Sequence, residues 1–439
     1  MIPLTLSRLL DRSRPPDHPL ALRRGTVLTC ARFAADVAGV AARLRRDRVR
    51  RAAVLCADTY AFAVALYALV GVEADVVFPS NGLPGTLDAL RDTFDVLVDD
   101  AFVAAAEPAE AMAAPLDIER PALSFFTSGS TGAPKRIVRS LAAFEREAEA
   151  LEALFGASSG SGPVLAMVPH AHVYGLTFKV TWPLASGRPF AAETYDTWEA
   201  LLADLPPGAI VVSSPAFLSR CGGLPPVPAE RRPARVFTAG APLSLAAAVE
   251  AGTVLGVRPT EIFGSTETGA FATRCQSRED EPWRLLPGVS MRCDEDGRLS
   301  LFSAAIGPEW YRSADIVEPI DGGFRFRGRA DRIVKIEGKR VSLAAVEQSL
   351  ARLPWVESAA AVLIPGAPDR LGAALVLSDS GRERLSSLGA FRFGRLLRDA
   401  LSGEHEAAAS PRLWRFVDEL PTGELGKRRD ADLRRLFES

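Results

Sequence analysis

Hydroxyls, glycines and a lysine crowd into one short stretch, Ser124-Phe-Phe-Thr-Ser-Gly-Ser-Thr-Gly-Ala-Pro-Lys-Arg136. Gly129 and Gly132 let the backbone approach a ligand closely, and Thr127, Ser128, Ser130 and Thr131 add hydroxyl donors. Successive N–H groups in such a turn form a nest for anions, phosphate above all. The spacing is not the GxxxxGK[ST] of P-loop NTPases, which argues against a Walker-type machine. An ordinary Ser/Gly/Thr-rich surface turn has the same composition, so the segment needs companions before it means anything. A second chemistry-bearing stretch is Val168-Pro-His-Ala-His-Val-Tyr-Gly175. No acidic residue stands near His172 to make it a base, so a pocket wall and orienting group is favoured over a general base.

Lysine is rare. It occurs at Lys135, Lys179, Lys335, Lys339 and Lys427, and the other 47 of the 52 basic residues are arginine. A compact, flexible ammonium does work that a planar guanidinium fork does not, so each retained lysine asks for a reason. Four of the five fall in the stretches 124–140, 328–347 and 420–428.

The elements that would position these residues alternate. Segments 52–56, 75–78 and 95–98 read as strands, with helices over 59–70 and 86–93 between them. Such alternation predicts an α/β fold of parallel sheets covered by helices. Leu141, Phe144, Ala148, Leu151 and Phe155 mark one face of a helix, with Ser140 as N-cap and Gly156 as stop. Toward the C-terminus, helices over 341–353 and 393–401 and strands over 356–364 and 373–377 form a smaller α/β unit. The expected division is a large domain, 1–330, and a small one, 331–439.

A chain of 439 residues exceeds one ordinary core. A net charge of −2, and no basic run interleaved with aromatics, exclude nucleic acid as the expected partner. The most apolar stretch, 52–79, is interrupted by Asp58, Glu73 and Asp75, so no membrane span is expected. The first 17 residues lack the apolar core of a signal peptide. Five scattered cysteines and four histidines suggest neither a disulfide framework nor a zinc site. The expectation is a soluble, cytoplasmic protein.

Residues 127–135 resemble the phosphate loop of the adenylate-forming superfamily: acyl-CoA synthetases, nonribosomal-peptide adenylation domains and firefly-type luciferases. Further segments resemble that family's signatures in the family's order, from about residue 52 to the C-terminus. These are the stretch around His172, Phe237-Thr-Ala-Gly-Ala-Pro-Leu243, Glu261-Ile-Phe-Gly-Ser-Thr-Glu267, Trp310-Tyr-Arg-Ser-Ala-Asp315, the run from Phe326 to Lys339, and Leu420-Pro-Thr-Gly-Glu-Leu-Gly-Lys427. The resemblance implies an AMP-forming acid–thiol ligase using ATP and Mg²⁺, with a small mobile C-terminal domain.

Residue by residue, the resemblance implies that Thr127, Ser128, Gly129, Ser130, Thr131, Gly132 and Lys135 hold the β- and γ-phosphates. It puts Gly240, Ala241 and Pro242 against adenine, Phe263 stacked on it with Gly264 and Ser265 alongside, and Thr266 on the α-phosphate. Glu267 would bind Mg²⁺, a hard cation that takes carboxylate and phosphate oxygens together. Asp315 would accept from the ribose hydroxyls, a task for a group with acceptors only, and Arg329 would also contact the nucleotide. His172, Tyr174, Phe217 and Gly264 would line the acyl pocket, which favours flat aromatic acids. Asp331 falls on the hinge position, and Lys335 and Gly338 on the loop used in thioester formation. Lys427 would bridge the substrate carboxylate and the α-phosphate. Three positions depart from the family: Arg136 and Ala314 stand where glycine is usual, and Phe263 where tyrosine is. The short first lobe resembles small ligases of aryl-polyene-type pathways, implying a hydroxybenzoate-like acid and an acyl carrier protein as acceptor, with free coenzyme A as the alternative. A catalytically silent nucleotide-binding regulatory module would not need Lys427, Glu267, Asp315 and Lys135 together.

Overall fold

The run Thr-Tyr-Ala-Phe-Ala-Val-Ala-Leu-Tyr-Ala-Leu-Val-Gly is apolar on every side, and it forms the helix Thr59–Gly71, buried along nearly its whole length. A helix without a polar face must be covered all round. Its start is fixed by Asp58, whose carboxylate accepts from the Ala61 N–H at 2.8 Å. In the computed structural model the described residues are 5–11, 13–110, 115–128, 134–336, 339–366, 369–402, 410–421 and 430–438. The chain divides into two compact units, Met1–Ser290 with Leu301–Tyr311, and Met291–Ser300 with Arg312–Ser439.

The first unit contains a five-stranded sheet ordered Val96–Asp99, Arg51–Leu55, Asp75–Phe78, Pro121–Ser128, Pro134–Ser140. Four strands are parallel and the last returns antiparallel. A second sheet carries a parallel core in the order Val164–Ala166, Ile210–Ser213, Arg235–Thr238, Thr260–Ser265. Gly269–Arg274 and Trp283–Leu285 extend it antiparallel. Leu201, Val211, Val236, Ala251 and Leu255 pack together between its strands and the helix Leu245–Leu255.

In the second unit Tyr311–Ile320 and Gly323–Arg329 form an antiparallel pair. A three-stranded sheet of Val356–Ile364, Arg370–Leu377 and Leu413–Phe416 follows. Val346 and Leu350 of the helix Leu343–Ala351, and Phe393 and Leu397 of the helix Asp379–Leu401, pack against Ala361, Ala373 and Leu375. Leu433 packs with Ala360, Val362 and Ala374, whose side chains alternate along the strands with that first set.

Two local expectations are corrected. Val341 and Ser342 do not begin the helix expected over 341–353: Lys339–Ser342 pairs antiparallel with Ile333–Ile336, and Ser342 caps the helix that follows. Gly156 does not end its helix, which runs to Ser159; the stop is Gly160, in a positive-φ conformation (+61°) suited to glycine. Ser140 is the N-cap, accepting from the Ala143 N–H at 3.2 Å. Among the described residues no helix is long and apolar enough to cross a membrane.

The lysine outside the signature stretches is entombed. Lys179, in the π-helical turn Leu176–Thr181, is 0% exposed, and its Nζ donates to Thr194 Oγ1 at 2.6 Å. Burial pulls its ammonium down to about 7, against a partial pull upward from Asp58 and Glu193. The unfolded chain therefore holds one more proton than the folded chain between pH 7 and about 10.5. Stability then rises with pH across that window, by up to about 1.4 kcal/mol per pH unit. Lys179→Met should stabilise the protein most below pH 7 and progressively less toward pH 10. Urea midpoints at pH 6, 7.5 and 9 check this; a gain that does not shrink with rising pH contradicts it.

Candidate active site

Four parallel strands of the second sheet end on one edge, so the loops after them leave the fold together. The arrangement follows from parallel pairing and places binding loops at the carboxyl ends of strands. After Val164–Ala166 come His172 and Tyr174; after Ile210–Ser213, Phe217; after Arg235–Thr238, Gly240, Ala241 and Pro242. Thr260–Ser265 carries Phe263, Gly264 and Ser265 and leads into Thr266 and Glu267. Residues nearly a hundred positions apart in sequence thus share one rim.

The Thr260–Ser265/Gly269–Arg274 hairpin is tightly built. The Phe263 ring stands 5.1 Å from Phe271 and 4.8 Å from Trp283, nearly perpendicular to the latter. Aromatic neighbours in edge contact fix a ring without needing a tyrosine hydroxyl. Gly264 has no room for a side chain: a Cβ would fall 2.5 Å from the Gly269 carbonyl oxygen. At the tip, Thr268 Oγ1 accepts from the Ser265 N–H at 3.1 Å, and Ser265 Oγ accepts from the Thr268 N–H at 3.2 Å. These two bonds present Thr266, buried, and Glu267, half-buried.

Lys135 Nζ donates to Glu267 Oε1 at 3.2 Å, bringing the lysine of the hydroxyl- and glycine-rich stretch to the hairpin carboxylate. The lysine is 61% exposed, so this pair contributes little to stability and is easily exchanged for another cation or anion. Thr127 and Ser128 end the strand Pro121–Ser128, in register with Lys135 and Pro134. Gly129, Ser130, Thr131 and Gly132 lie outside the described residues. Arg136, where glycine is usual, donates from Nε and Nη2 to Ser124 Oγ at 3.0 and 2.9 Å, so its side chain is tied to the strand.

Glu261 and Gln276, which sequence reasoning missed, lock the 240–243 loop. Glu261 is buried, receives Arg274 Nε at 2.7 Å and Gln276 Nε2 at 2.6 Å, while Gln276 Nε2 also donates to the Leu243 carbonyl at 2.8 Å. Gly240 there has φ +96°, which favours glycine.

The two histidines divide their roles. His170 is buried, bonded to Thr59 Oγ1 at 3.0 Å and the Cys56 carbonyl at 2.8 Å, and burial with the nearby Lys179 charge pulls it down to about 3. It is a neutral strut. His172 is half-buried, and its Nδ1 accepts from the Tyr174 N–H at 3.3 Å, which leaves Nε2 to carry the proton in the neutral ring. Tyr174 is buried 5.0 Å from Phe178, and its hydroxyl has no hydrogen-bond partner among the described residues. Phe217 is half-buried on the core, its carbonyl accepting from Trp198 Nε1 at 2.8 Å.

In the second unit, Asp315 and Arg329 are register partners across a hairpin. Asp315 is buried; its Oδ2 accepts from Ser313 Oγ at 2.9 Å and its Oδ1 lies 3.4 Å from Arg329 Nη1. Arg329 also grips Asp331 through Nε and Nη2, at 2.9 and 2.6 Å. Asp331 sits in the 3₁₀ turn Ala330–Arg332. Lys335 lies in the strand Ile333–Ile336, whereas Gly338 and Lys427 fall outside the described residues.

A helix-covered sheet lobe, with hydroxyl, glycine and carboxylate groups gathered where parallel strands end, and a smaller α/β unit match the fold expected from the resemblance. Residues 80–296 match the model of the AMP-binding enzyme family, and the chain belongs to that family. It is 31% identical over 70% of its length to 4-coumarate–CoA ligase of Cereibacter sphaeroides, covering 70% of that protein. To anthranilate–CoA ligase of Pseudomonas aeruginosa it is 30% identical over 82% of its length, covering 75% of that chain. The fold superposes on ATP-bound MatB from Rhodopseudomonas palustris with TM-score 0.81 at 18% identity, covering 100% of this chain and 99% of that one.

The protein is an AMP-forming acid–thiol ligase. Solved structures of the same fold hold ATP, in MatB, or ATP with a magnesium ion, in o-succinylbenzoate–CoA synthetase of Bacillus subtilis. The donor set of this chain fits both. Among the described residues no cluster of three His, Cys, Asp or Glu side chains forms a cage. A single carboxylate such as Glu267 beside a phosphate-loop lysine suits Mg²⁺, which binds through one or two carboxylates plus phosphate oxygens.

Proposed function

We propose that the enzyme activates a small aromatic, hydroxybenzoate-like acid and passes the acyl group to the phosphopantetheine thiol of an acyl carrier protein. The observation that carries the acid is Tyr174. A buried hydroxyl without a partner is costly and calls for an explanation, and a polar substituent on a flat ring beside Tyr174 and Phe178 would complete it. The carrier protein is supported by the chain's resemblance to compact aryl-polyene-type ligases. The CoA-ligase names of the two relatives favour free coenzyme A as the second reading.

In the first half-reaction a carboxylate oxygen of the acid forms a bond to the α-phosphorus and the bond to pyrophosphate breaks. Mg²⁺, when bound, neutralises charge on the phosphate oxygens. Lys427 and Thr266 offset the negative charge that builds on the α-phosphoryl oxygens, Lys135 holds the outer phosphates, and His172 orients the acid. In the second, the thiol sulfur attacks the acyl carbon, its proton leaves to solvent, and AMP departs.

Acid-dependent exchange of pyrophosphate into ATP, run across hydroxybenzoates, benzoate and fatty acids, tests the substrate class. Hydroxybenzoates should exceed benzoate, and Tyr174→Phe should erase that margin, about 10-fold for one hydrogen bond. A preference for twelve-carbon or longer chains contradicts the reading. Acylation of a holo carrier protein against coenzyme A decides the acceptor.

A further inference from the structure

Glu147 lies on the apolar stripe of the helix Leu141–Ser159, one turn from Phe144 and Leu151, and is 3% exposed. Burial raises its carboxyl, and the Arg139 charge opposes that rise. A carboxylate in such a place costs stability unless its oxygens are engaged. One oxygen, Oε1, accepts two hydrogen bonds from different parts of the unit: the Ala270 N–H at 2.9 Å and Thr177 Oγ1 at 3.1 Å. Ala270 pairs with Gly264 in the hairpin that carries Thr266 and Glu267. Thr177 stands in the turn that follows His172 and Tyr174. Behind the carboxylate is Arg139, 6% exposed, with Nη1 3.7 Å from Glu147 Oε2, Nη2 donating to the Ala305 carbonyl at 3.2 Å, and its guanidinium over the Phe144 ring. The hairpin closes directly on this pair: Gly269 has φ +66°, and a Cβ there would lie 2.2 Å from Glu147 Oε2.

We infer that Glu147 is a positioning residue for adenylation, a single carboxylate oxygen that joins the nucleotide-side hairpin to the acid-side helix. The inference rests on the reading of those two segments as nucleotide- and acid-binding. Attack on the α-phosphate needs the two reactants held in one geometry, and a misplacement of about 1 Å costs about 100-fold. An anchor shared by both segments sets their separation. Cutting it should disturb binding of both reactants, not of the one nearer the cut.

The test is acid-dependent pyrophosphate exchange with steady-state constants for both substrates, on variants whose melting curves show them folded. Glu147→Gln keeps an acceptor at this site and is expected within about fivefold of wild type, while Glu147→Ala should lose about 100-fold in kcat. Thr177→Val cuts only the acid-side bond, yet should raise KM for ATP as well as for the acid, about threefold to tenfold. The double variant Glu147→Ala/Thr177→Val should be no worse than Glu147→Ala alone, because both remove one linkage. If Glu147→Ala does not fold, Thr177→Val decides alone. A Thr177→Val effect on acid KM only, no effect, or multiplicative losses in a folded double variant overturn the inference. Wild-type enzyme without exchange for any carboxylic acid would instead overturn the functional reading beneath it.

Discussion

Lys427→Ala abolishes acyl-AMP formation: acid-dependent pyrophosphate exchange falls roughly 100- to 1,000-fold, while transfer from supplied acyl-AMP to the thiol continues near the wild-type rate. The expected loss is that of one preorganised contact to developing charge. In the proposed first half-reaction the α-phosphoryl oxygens gather negative charge as the acid carboxylate attacks, and there the resemblance implies that Lys427 bridges the two groups. In the second, AMP is leaving and the thiol needs the space. The residue type carries its own expectation. In a chain with 47 arginines, a lysine kept at this position points to a compact ammonium. Lys427→Arg should therefore restore little of the exchange. Equal losses in both half-reactions sink the assignment.

Asp331→Pro separates the half-reactions in the opposite sense. The resemblance implies that one chain presents Lys427 for adenylation and then the 335–338 loop for thioester formation, and it assigns the backbone change between them to Asp331. A hinge absorbs a large change in φ and ψ, and proline fixes φ near −65°. That value suits the 3₁₀ turn Ala330–Arg332, so the variant folds into the turn and stays there. Pyrophosphate exchange should survive within a small factor while thioester formation falls far below wild type. Proline also removes the carboxylate that Arg329 grips at 2.6 Å. Asp331→Ala removes the same carboxylate without fixing φ, and is expected to make thioester at nearly the normal rate. Thioester formation at the wild-type rate in Asp331→Pro, or equal loss in Asp331→Ala, removes the hinge from this position.

What could be read in the sequence was local. Strand–helix alternation gave the three strands from 51 to 99 and the helix 59–71, whereas the helix expected over 86–93 is a short helix, Pro84–Ala89, and a separate 3₁₀ turn, Arg91–Thr93. The 141–155 stripe gave its helix and its N-cap, because period and capping are written in neighbouring residues. Three signature stretches, those with His172, Gly240 and Thr266, lie at the rim, and their gathering there depends on parallel strand order, which no stretch contains. The missed residues act across long separations. Glu261 reaches Arg274 and Gln276, and Glu147 reaches Ala270, 123 positions away. Glu147 did leave a mark, a charged residue at a core position of an otherwise apolar stripe. The helix expected over 341–353 lost its first two residues to strand pairing with Ile333–Ile336, a contact that helical periodicity does not record.

The rim at the ends of four parallel strands has an evolutionary consequence. Val164–Ala166, Ile210–Ser213 and Arg235–Thr238 are buried almost throughout and must keep their shape for the lobe to fold. The segments that follow them are not equally constrained: residues 173–186 are buried throughout, whereas Ala171 and His172 are half-buried, Ala216 is exposed and Phe217 is half-buried. Around His172 and Phe217, sequence can therefore vary at little cost to the scaffold, whereas from Tyr174 onward each side chain is part of the core. The hairpin with Thr266 and Glu267, tethered by its own hydroxyls and by Glu147, is much less free to vary. On the proposed reading of the acid pocket, selection for a new acid has its raw material in the exposed and half-buried positions around His172 and Phe217. A chimera that exchanges Ala171 with His172 and Ala216 with Phe217 for a relative's residues, and nothing else, is the smallest unit by which acid preference should travel from one such enzyme to another.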